Sequence, residues 1–343
     1  MSKTLPAIDE IILFYKNAST RELTARADGV CRETYGDEVY LRGLVEFSNY
    51  CGRDCLYCGI RHSNPAVKRY RMAPEEILES VRAGHKMGLK TFVLQSGEDE
   101  FFTTKVLSGI VEKIKEIAGG DSALTLSCGI RPKKDYAELK KSGADRYLIR
   151  FETSDPELHS YLRNGVSLKR RITALRDLRD CGFEVGSGFM VELPGESEEI
   201  RINNALLCRE LELDMIGVGP FIPHPETPLK DSPQMPFELA LRSVALVRLL
   251  LPFSNIPATT AAGSLDPEGR EKMLAAGANV LMPNITPVEF KKNYLLYPNK
   301  ICLDEDGTHC IGCMKIRVGA VDKTVVNETG FSKSFLMRSN RLR

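Results

Sequence analysis

Cys51, Cys55 and Cys58 lie within eight positions of one another in the segment EFSNYCGRDCLYCGIRHSN, residues 46–64, spaced C-x3-C-x2-C with Tyr57 just before the last thiol. Thiols clustered this tightly read as metal ligands rather than as disulfide partners. Zinc sites usually reach four ligands by pairing two C-x2-C elements or by adding histidines, and the nearest histidine here is His62. Three cysteines around an iron–sulfur cube instead leave one iron with an open position, which is what a catalytic cluster requires. A second group, Cys302, Cys310 and Cys313, is again one ligand short and has His309 beside it. Cys31, Cys128, Cys181 and Cys208 stand singly and read as small buried hydrophobes.

The elements that must carry these thiols alternate along the 343-residue chain. Short β-rich runs occur at 39–47, 91–95, 123–127, 146–152, 184–192, 214–221, 256–261 and 278–283. Segments of helical periodicity lie between them, such as APEEILESVRAGHKMG at 73–88, which opens on Pro74 and Glu75 and ends on a glycine. Strand then helix, repeated about eight times, predicts an α/β fold with a parallel sheet closed into a (β/α)8 barrel, ahead of an open doubly wound sheet. The expected organisation is an N-terminal helical extension (1–38), the barrel (39–285) and a C-terminal extension (286–343) carrying the second cysteine group. Barrel active sites sit at the carboxyl ends of the strands. The first cysteine group, Gln95 to Glu98, Arg150, Glu152, Thr259, Thr260 and Met282 all fall there.

Composition excludes several classes. With 47 basic and 46 acidic residues the formal charge is +1, so no global field draws the chain to nucleic acid or to an anionic membrane. No apolar run approaches the roughly 20 residues of a membrane span, and the amino terminus lacks a signal-peptide pattern. A cytoplasmic location is expected.

The C-x3-C-x2-C spacing on a loop directly after a strand resembles the radical S-adenosylmethionine (SAM) superfamily. The resemblance implies a 4Fe–4S cluster on Cys51, Cys55 and Cys58, SAM chelated at the open iron, and reductive cleavage to a 5′-deoxyadenosyl radical, with an electron from a reductant protein. It also implies a cofactor-binding set. Tyr57 belongs to it, as do Ser96, Gly97 and Glu98 after the second strand, where backbone and carboxylate would hold the methionine ammonium. Glu152 and Arg171 would contact the cofactor, Arg171 as a fork on its carboxylate. Gly188 and Met190, within GSGFMVELPGE, would lie against the adenine.

Across residues 39–313 the stretches YRMAPEEI, TFVLQSGED, GADRYLIRFET, DMIGVGPFIPHPETPL, NIPATTA, GANVLMPN and LYPNKIC together resemble the HydE family of FeFe-hydrogenase maturases. That resemblance implies assembly of the diiron subcluster of the H-cluster, from a cysteine-bound Fe(CO)2(CN) precursor supplied by a partner maturase. Substrate-binding residues implied by it, or chosen to hold a small anion among apolar walls, are Gln95, Arg146, Arg150, Met215, Thr259, Thr260, Met282 and Tyr294. Cys302, Cys310 and Cys313 resemble the accessory iron–sulfur site (2Fe–2S or 4Fe–4S) of some members. Phe151 departs from the family pattern, which has histidine there, and an apolar ring at that point is expected to alter the cavity. Methylornithine synthase, which rearranges lysine, and biotin synthase are the neighbouring alternatives, with an amino-acid-like substrate in the first case.

Overall fold

A computed structural model of the chain describes residues 6–341. Two helices, α1 (Ile8–Asn17) and α2 (Thr20–Tyr35), lead into β1 (Glu38–Leu41) and β2 (Gly43–Ser48). The alternation then runs α3 (Pro74–Lys86), β3 (Thr91–Ser96), α4 (Thr104–Ala118), β4 (Ala123–Ser127), α5 (Lys133–Lys141) and β5 (Arg146–Leu148). It continues through α6 (Pro156–Leu162), α7 (Leu168–Asp180), β6 (Glu184–Val191), α8 (Glu198–Glu210), β7 (Met215–Pro220) and α9 (Glu238–Leu250). Shorter pieces follow: α10 (Thr260–Leu265), α11 (Gly269–Leu274), β8 (Val280–Leu281), α12 (Val288–Lys291), α13 (Gly307–Gly319), β9 (Thr324–Val326) and α14 (Lys333–Arg341).

Local chemistry accounts for the helix ends. Ser19 and Glu22 form a reciprocal capping box at α2, and Pro74 occupies the first turn of α3. The helices α3, α5 and α7 each stop just before a glycine in the left-handed region, Gly88, Gly143 and Gly182, as the sequence predicts.

Strands β2 to β7 pair in sequence order, all parallel. Closure is completed by shorter contacts. Met215 bridges Asn255, Pro257 bridges Val280, Val280 pairs with Tyr40 of β1, and Leu44 of β2 bridges Asn284. The expected barrel therefore forms, with its last two positions reduced to bridges. At 256–261 there is no strand, because residues from 260 onward start α10, and between 278 and 283 only two residues pair. A short ladder remains there, with the Ala258 amide donating to the Val280 carbonyl and the Asn279 amide to the Ile256 carbonyl (both 2.9 Å), and side chains add to it: Ile256 N–H donates to Asn279 Oδ1 (2.9 Å), and Asn279 Nδ2 to Asn255 Oδ1 (2.8 Å). The run 39–47 breaks at Arg42, and 146–152 pairs regularly only over its first three residues.

The barrel floor corrects two expectations. Arg146 and Met215 begin β5 and β7, so they lie at the amino ends of the strands, away from the loops. Arg146 is fully buried, paired with the fully buried Glu184, donates to the Thr329 carbonyl and stacks under Phe331 at 4.4 Å. Met215 Sδ sits 2.8 Å from Arg42 Nη1. Both belong to a floor sealed by residues 329–331. Strand direction decides this, since all strands of a parallel barrel start at the same end, and the first residue of each lies at the end opposite the active-site loops.

Breaking this buried pair from one side strands a charge. Glu184→Gln is expected to destabilise the chain by about 3–5 kcal/mol in urea unfolding, whereas the double change Arg146→Met with Glu184→Leu recovers most of that loss.

Candidate active site

The loop after β2 carries the three thiols, and the neighbouring strand end clamps it. Ser48 Oγ donates to Asp99 (2.6 Å), and Arg71 grips the same carboxylate at 2.7 and 3.0 Å. The Arg71 guanidinium lies over the Tyr50 ring, 3.7 Å from its centroid. Gly97 allows the close pass, since a Cβ there would stand 2.1 Å from the Tyr50 carbonyl oxygen. The amides of Arg53 and Glu98 both point at Cys51 Sγ, each at 3.4 Å.

All three thiols open on one cavity of about 230 Å³ at the carboxyl ends of the strands. Burial pushes each thiol up, Cys55 to about 11 and Cys58 further still, so the protein alone does not stabilise the thiolates. A bound metal centre supplies the positive charge that does.

Glu98 is the charged hub beside them. Arg53 Nε holds it at 2.7 Å, Arg171 Nη2 at 2.9 Å and Arg163 Nη2 at 3.3 Å. Three guanidiniums around one carboxylate leave two positive charges in excess at the cavity wall. Arg163 also donates to the Tyr57 hydroxyl (3.1 Å), which donates to Glu152 (3.3 Å). Glu152 Oε2 is ion-paired with Arg150 Nε at 3.1 Å but without hydrogen-bond alignment, and Arg150 Nη2 is buried without a hydrogen-bond partner. Nε of Arg163 and of Arg171 are likewise buried without a partner. Orphaned buried groups aimed at one cavity mark a place for a polar ligand. This set suits a cluster with an amino acid chelated at it: three thiols, excess cations for a carboxylate, and carboxylates for an ammonium. Glu152 holds a left-handed backbone (φ 70°), a strain that a functional position retains.

A second lobe of about 230 Å³ continues inward past Tyr57, Cys58, Gln95 and Arg150. Met190, Thr259, Thr260 and Met282 line it, with Phe221, Ile222 and Tyr297 as apolar walls. Tyr294 is buried behind the first lobe as part of its wall, where its hydroxyl accepts from Gln95 Nε2 at 3.4 Å. Ser96, Gly97, Glu98, Glu152 and Arg171 all reach the first lobe, and Arg171 is 4% exposed, not a surface arginine.

Two expectations change here. Gly188 lines neither lobe; a Cβ there would meet the Gly217 carbonyl at 2.0 Å, so this glycine lets β6 and β7 approach each other. Phe151 also points away from the cavity. Arg150 and Glu152 face inward, which sends the ring between them outward into the core, stacked on Phe189 at 6.0 Å. The buried His159 sits against it, Nδ1 2.7 Å from the Phe151 carbonyl.

Sequence reasoning missed Arg53, Arg163, and the buried pair Glu46 and Lys300 (2.5 Å) in the inner lobe. Arg53 lies inside the cysteine loop and was open to the same reading as Arg171. Arg163, Glu46 and Lys300 carry no local signal. A larger groove of about 540 Å³ lies outside the barrel between α7 and α8 and contains no thiol.

Beyond Met190 the chain turns through a second strained carboxylate. Glu192 (φ 71°) and Glu196 are buried together, the Glu192 amide donating to Glu196 at 2.7 Å. Burial and mutual repulsion raise Glu192 from 4.5 to about 8, and burial raises Glu196 from 4.5 to about 7. The folded state thus binds more protons than the unfolded state, so stability is complete below the ordinary value and is lost as pH rises through these raised values. Urea midpoints are expected to fall between about pH 5 and 8, and Glu192→Gln to flatten that slope by up to about 1.4 kcal/mol per pH unit.

Comparison with known proteins gives the same picture. Residues 45–208 match the radical SAM superfamily and residues 218–302 the biotin and thiamin synthesis associated domain. The chain is 49% identical over 288 residues to the [FeFe] hydrogenase maturase subunit HydE of Thermotoga maritima, covering 84% of this chain and 82% of that protein. It is 29% identical over 268 residues to 3-methylornithine synthase of Methanosarcina acetivorans, covering 76% and 74%. Among solved structures, methylornithine synthase superposes with a TM-score of 0.82 at 24% identity over 94% of this chain and 95% of that one. The maturase HydG of Carboxydothermus hydrogenoformans gives 0.77 at 20%, over 92% and 75%. These two structural likenesses speak to the fold.

Proposed function

The chain belongs to the HydE family of FeFe-hydrogenase maturases within the radical SAM superfamily, and from that premise we propose that its inner lobe takes a small anionic iron complex with a cysteine ligand, the Fe(CO)2(CN) precursor of the diiron subcluster. It is a radical SAM enzyme of hydrogenase maturation, with a 4Fe–4S cluster and SAM as cofactors. Cys51, Cys55 and Cys58 would hold the cluster, which when bound would supply the electron for reductive cleavage of SAM.

The residues of the chain bind, orient and shield. Arg163 and Arg171 would hold the methionine carboxylate, and Glu98 beside them would face the ammonium. Tyr57 and Glu152 keep the polar network continuous to Arg150, which offers its unpartnered Nη2 to the anionic substrate. Gln95, Thr259 and Thr260 act as neutral donors on the inner lobe, and Met190 and Met282 exclude water from it. The observation that carries this reading is the joining of the two lobes at Tyr57, Cys58, Gln95, Arg150 and Glu152, so that a cleavage product of the first opens directly on the second.

The partners that follow are a reductant protein and the other hydrogenase maturases, with neither nucleic acid nor membrane. No described helix is long and apolar enough to cross a membrane, and we place the enzyme in the cytoplasm. An amino-acid rearrangement of the methylornithine synthase type is less well supported, because identity drops from 49% to 29%.

Anaerobic reconstitution with iron and sulfide, then reduction with SAM, is expected to yield 5′-deoxyadenosine, and Cys55→Ser to abolish it. A loaded cluster that forms none would sink the radical reading, and failure to support hydrogenase activation alongside the other maturases would sink the maturation role. Charge-assisted hydrogen bonds are worth about 1.5–3 kcal/mol, so Arg171→Met should weaken SAM binding by roughly 10- to 100-fold in equilibrium titration.

A further inference from the structure

Electron transfer weakens steeply with distance, so a reductant must seat where the thiol loop comes nearest to solvent. That point is the corner formed by Cys51, Gly52 and Arg53: Gly52 is exposed, Cys51 is half-buried, and the Arg53 side chain is 33% exposed. Two large rings stand open beside it, Tyr50 at 36% and Phe101 at 56%, with the Arg71 guanidinium between them at 3.7 and 5.0 Å from their centroids. Arg71 is held by Asp99, and Phe101 lies edge-on to the buried Phe102 at 5.3 Å, so both rings rest on a fixed base.

Cations continue this rim. Arg131 donates to the Phe102 carbonyl at 2.8 Å, and Gly129 packs on Glu98, where a Cβ would stand 2.2 Å from Cγ. The loop after β4 is thereby joined to the loop after β3. Beyond it Arg131, Lys169 and Arg170 line a groove of about 450 Å³ over Ile130 and Pro132, and Asp177, the carboxylate in that groove, is paired with Lys133 at 3.7 Å. The first turn of α7 divides its cations by face: Arg171 turns inward to Glu98, whereas Lys169 and Arg170 are exposed. Segments 50–53, 98–104, 128–132 and 163–171 together hold six basic and three acidic residues, a local excess of three in a chain whose formal charge is +1. Within them Glu98 and Asp99 are already paired with arginines, which leaves Glu100 as the exposed opposing charge.

We propose that this rim, aromatic beside the thiols and cationic beyond them, is the docking surface for a small acidic one-electron donor protein. This rests on the reading above that a reductant protein is a partner, and it gives that partner a place. The donor is oxidised by one electron, the 4Fe–4S cluster is reduced by one, and no atom is exchanged. Redox encounters are made through small interfaces, in which a few aromatic and arginine anchors carry the affinity and complementary charge speeds the approach. Tyr50, Phe101 and Arg71 supply the anchors, and Arg53, Arg131, Lys169 and Arg170 supply the charge.

The test uses the full chain with its cluster reconstituted anaerobically and, as probe, an acidic flavodoxin reduced to the hydroquinone. Equilibrium titration is expected to show binding that weakens as salt rises, and that weakens at least about tenfold in Lys169→Glu with Arg170→Glu and in Phe101→Ser. Formation of 5′-deoxyadenosine driven by sub-saturating flavodoxin should fall in the same ratio, while formation driven by dithionite stays unchanged, which also reports that the variants fold. Binding and flavodoxin-driven rates that are unchanged in either variant overturn the proposal, as does an equal loss in the control reversal Lys16→Glu with Lys315→Glu, on α1 and α13. Failure of the unaltered chain to form 5′-deoxyadenosine with dithionite sinks the radical reading instead, and the titration then still decides the surface.

Discussion

Glu98 carries more cationic charge than its own carboxylate balances, and the upper half of the barrel is organised around that excess. Three arginines reach it from three separate elements: Arg53 from the cysteine loop, Arg163 from just beyond α6, and Arg171 from α7. Partly buried ions that close are stable only when paired and hydrogen-bonded. The surplus here is therefore a standing demand for a further anion. A cluster bearing negative charge and an amino-acid carboxylate chelated at it meet that demand in the same place.

The same constraint explains why the lobes are joined rather than separate. From Arg163 the polar network passes through the Tyr57 hydroxyl to Glu152 and Arg150, so the cation that faces the inner lobe is electrically continuous with those that face the first. Low dielectric around such a chain strengthens each member and makes each unpaired end costly. The end without a hydrogen bond or ion pair is Arg150 Nη2, at the junction where two ligands would meet.

Closure of the barrel follows a different economy. Six strands pair regularly, and the remaining two positions are held by a few backbone bonds and single bridges with asparagine side chains added. The floor is a buried ion pair, Arg146 with Glu184, under a lid of residues 329–331. Irregular strands beside the inner lobe free Thr259 and Thr260 to start a helix at the cavity edge, where a regular strand would have turned alternate side chains away.

By itself the sequence determined the alternating architecture, the helix stops at glycine, and the two groups of three thiols. Those properties are local: periodicity, capping and ligand spacing are written in neighbouring residues. It also placed Gln95, Glu98, Glu152, Thr259, Thr260 and Met282 at the working end, because the carboxyl end of a strand can be read from strand boundaries. Only the tertiary structure decided that Arg146 and Met215 belong to the floor, that Phe151 faces the core, and that Gly188 serves strand packing. It alone joined Arg163 to Glu98 and Lys300 to Glu46. Each of these depends on which end or face of an element a side chain occupies, and on charges from distant segments meeting in a buried space, neither of which is encoded within a few residues of the position concerned.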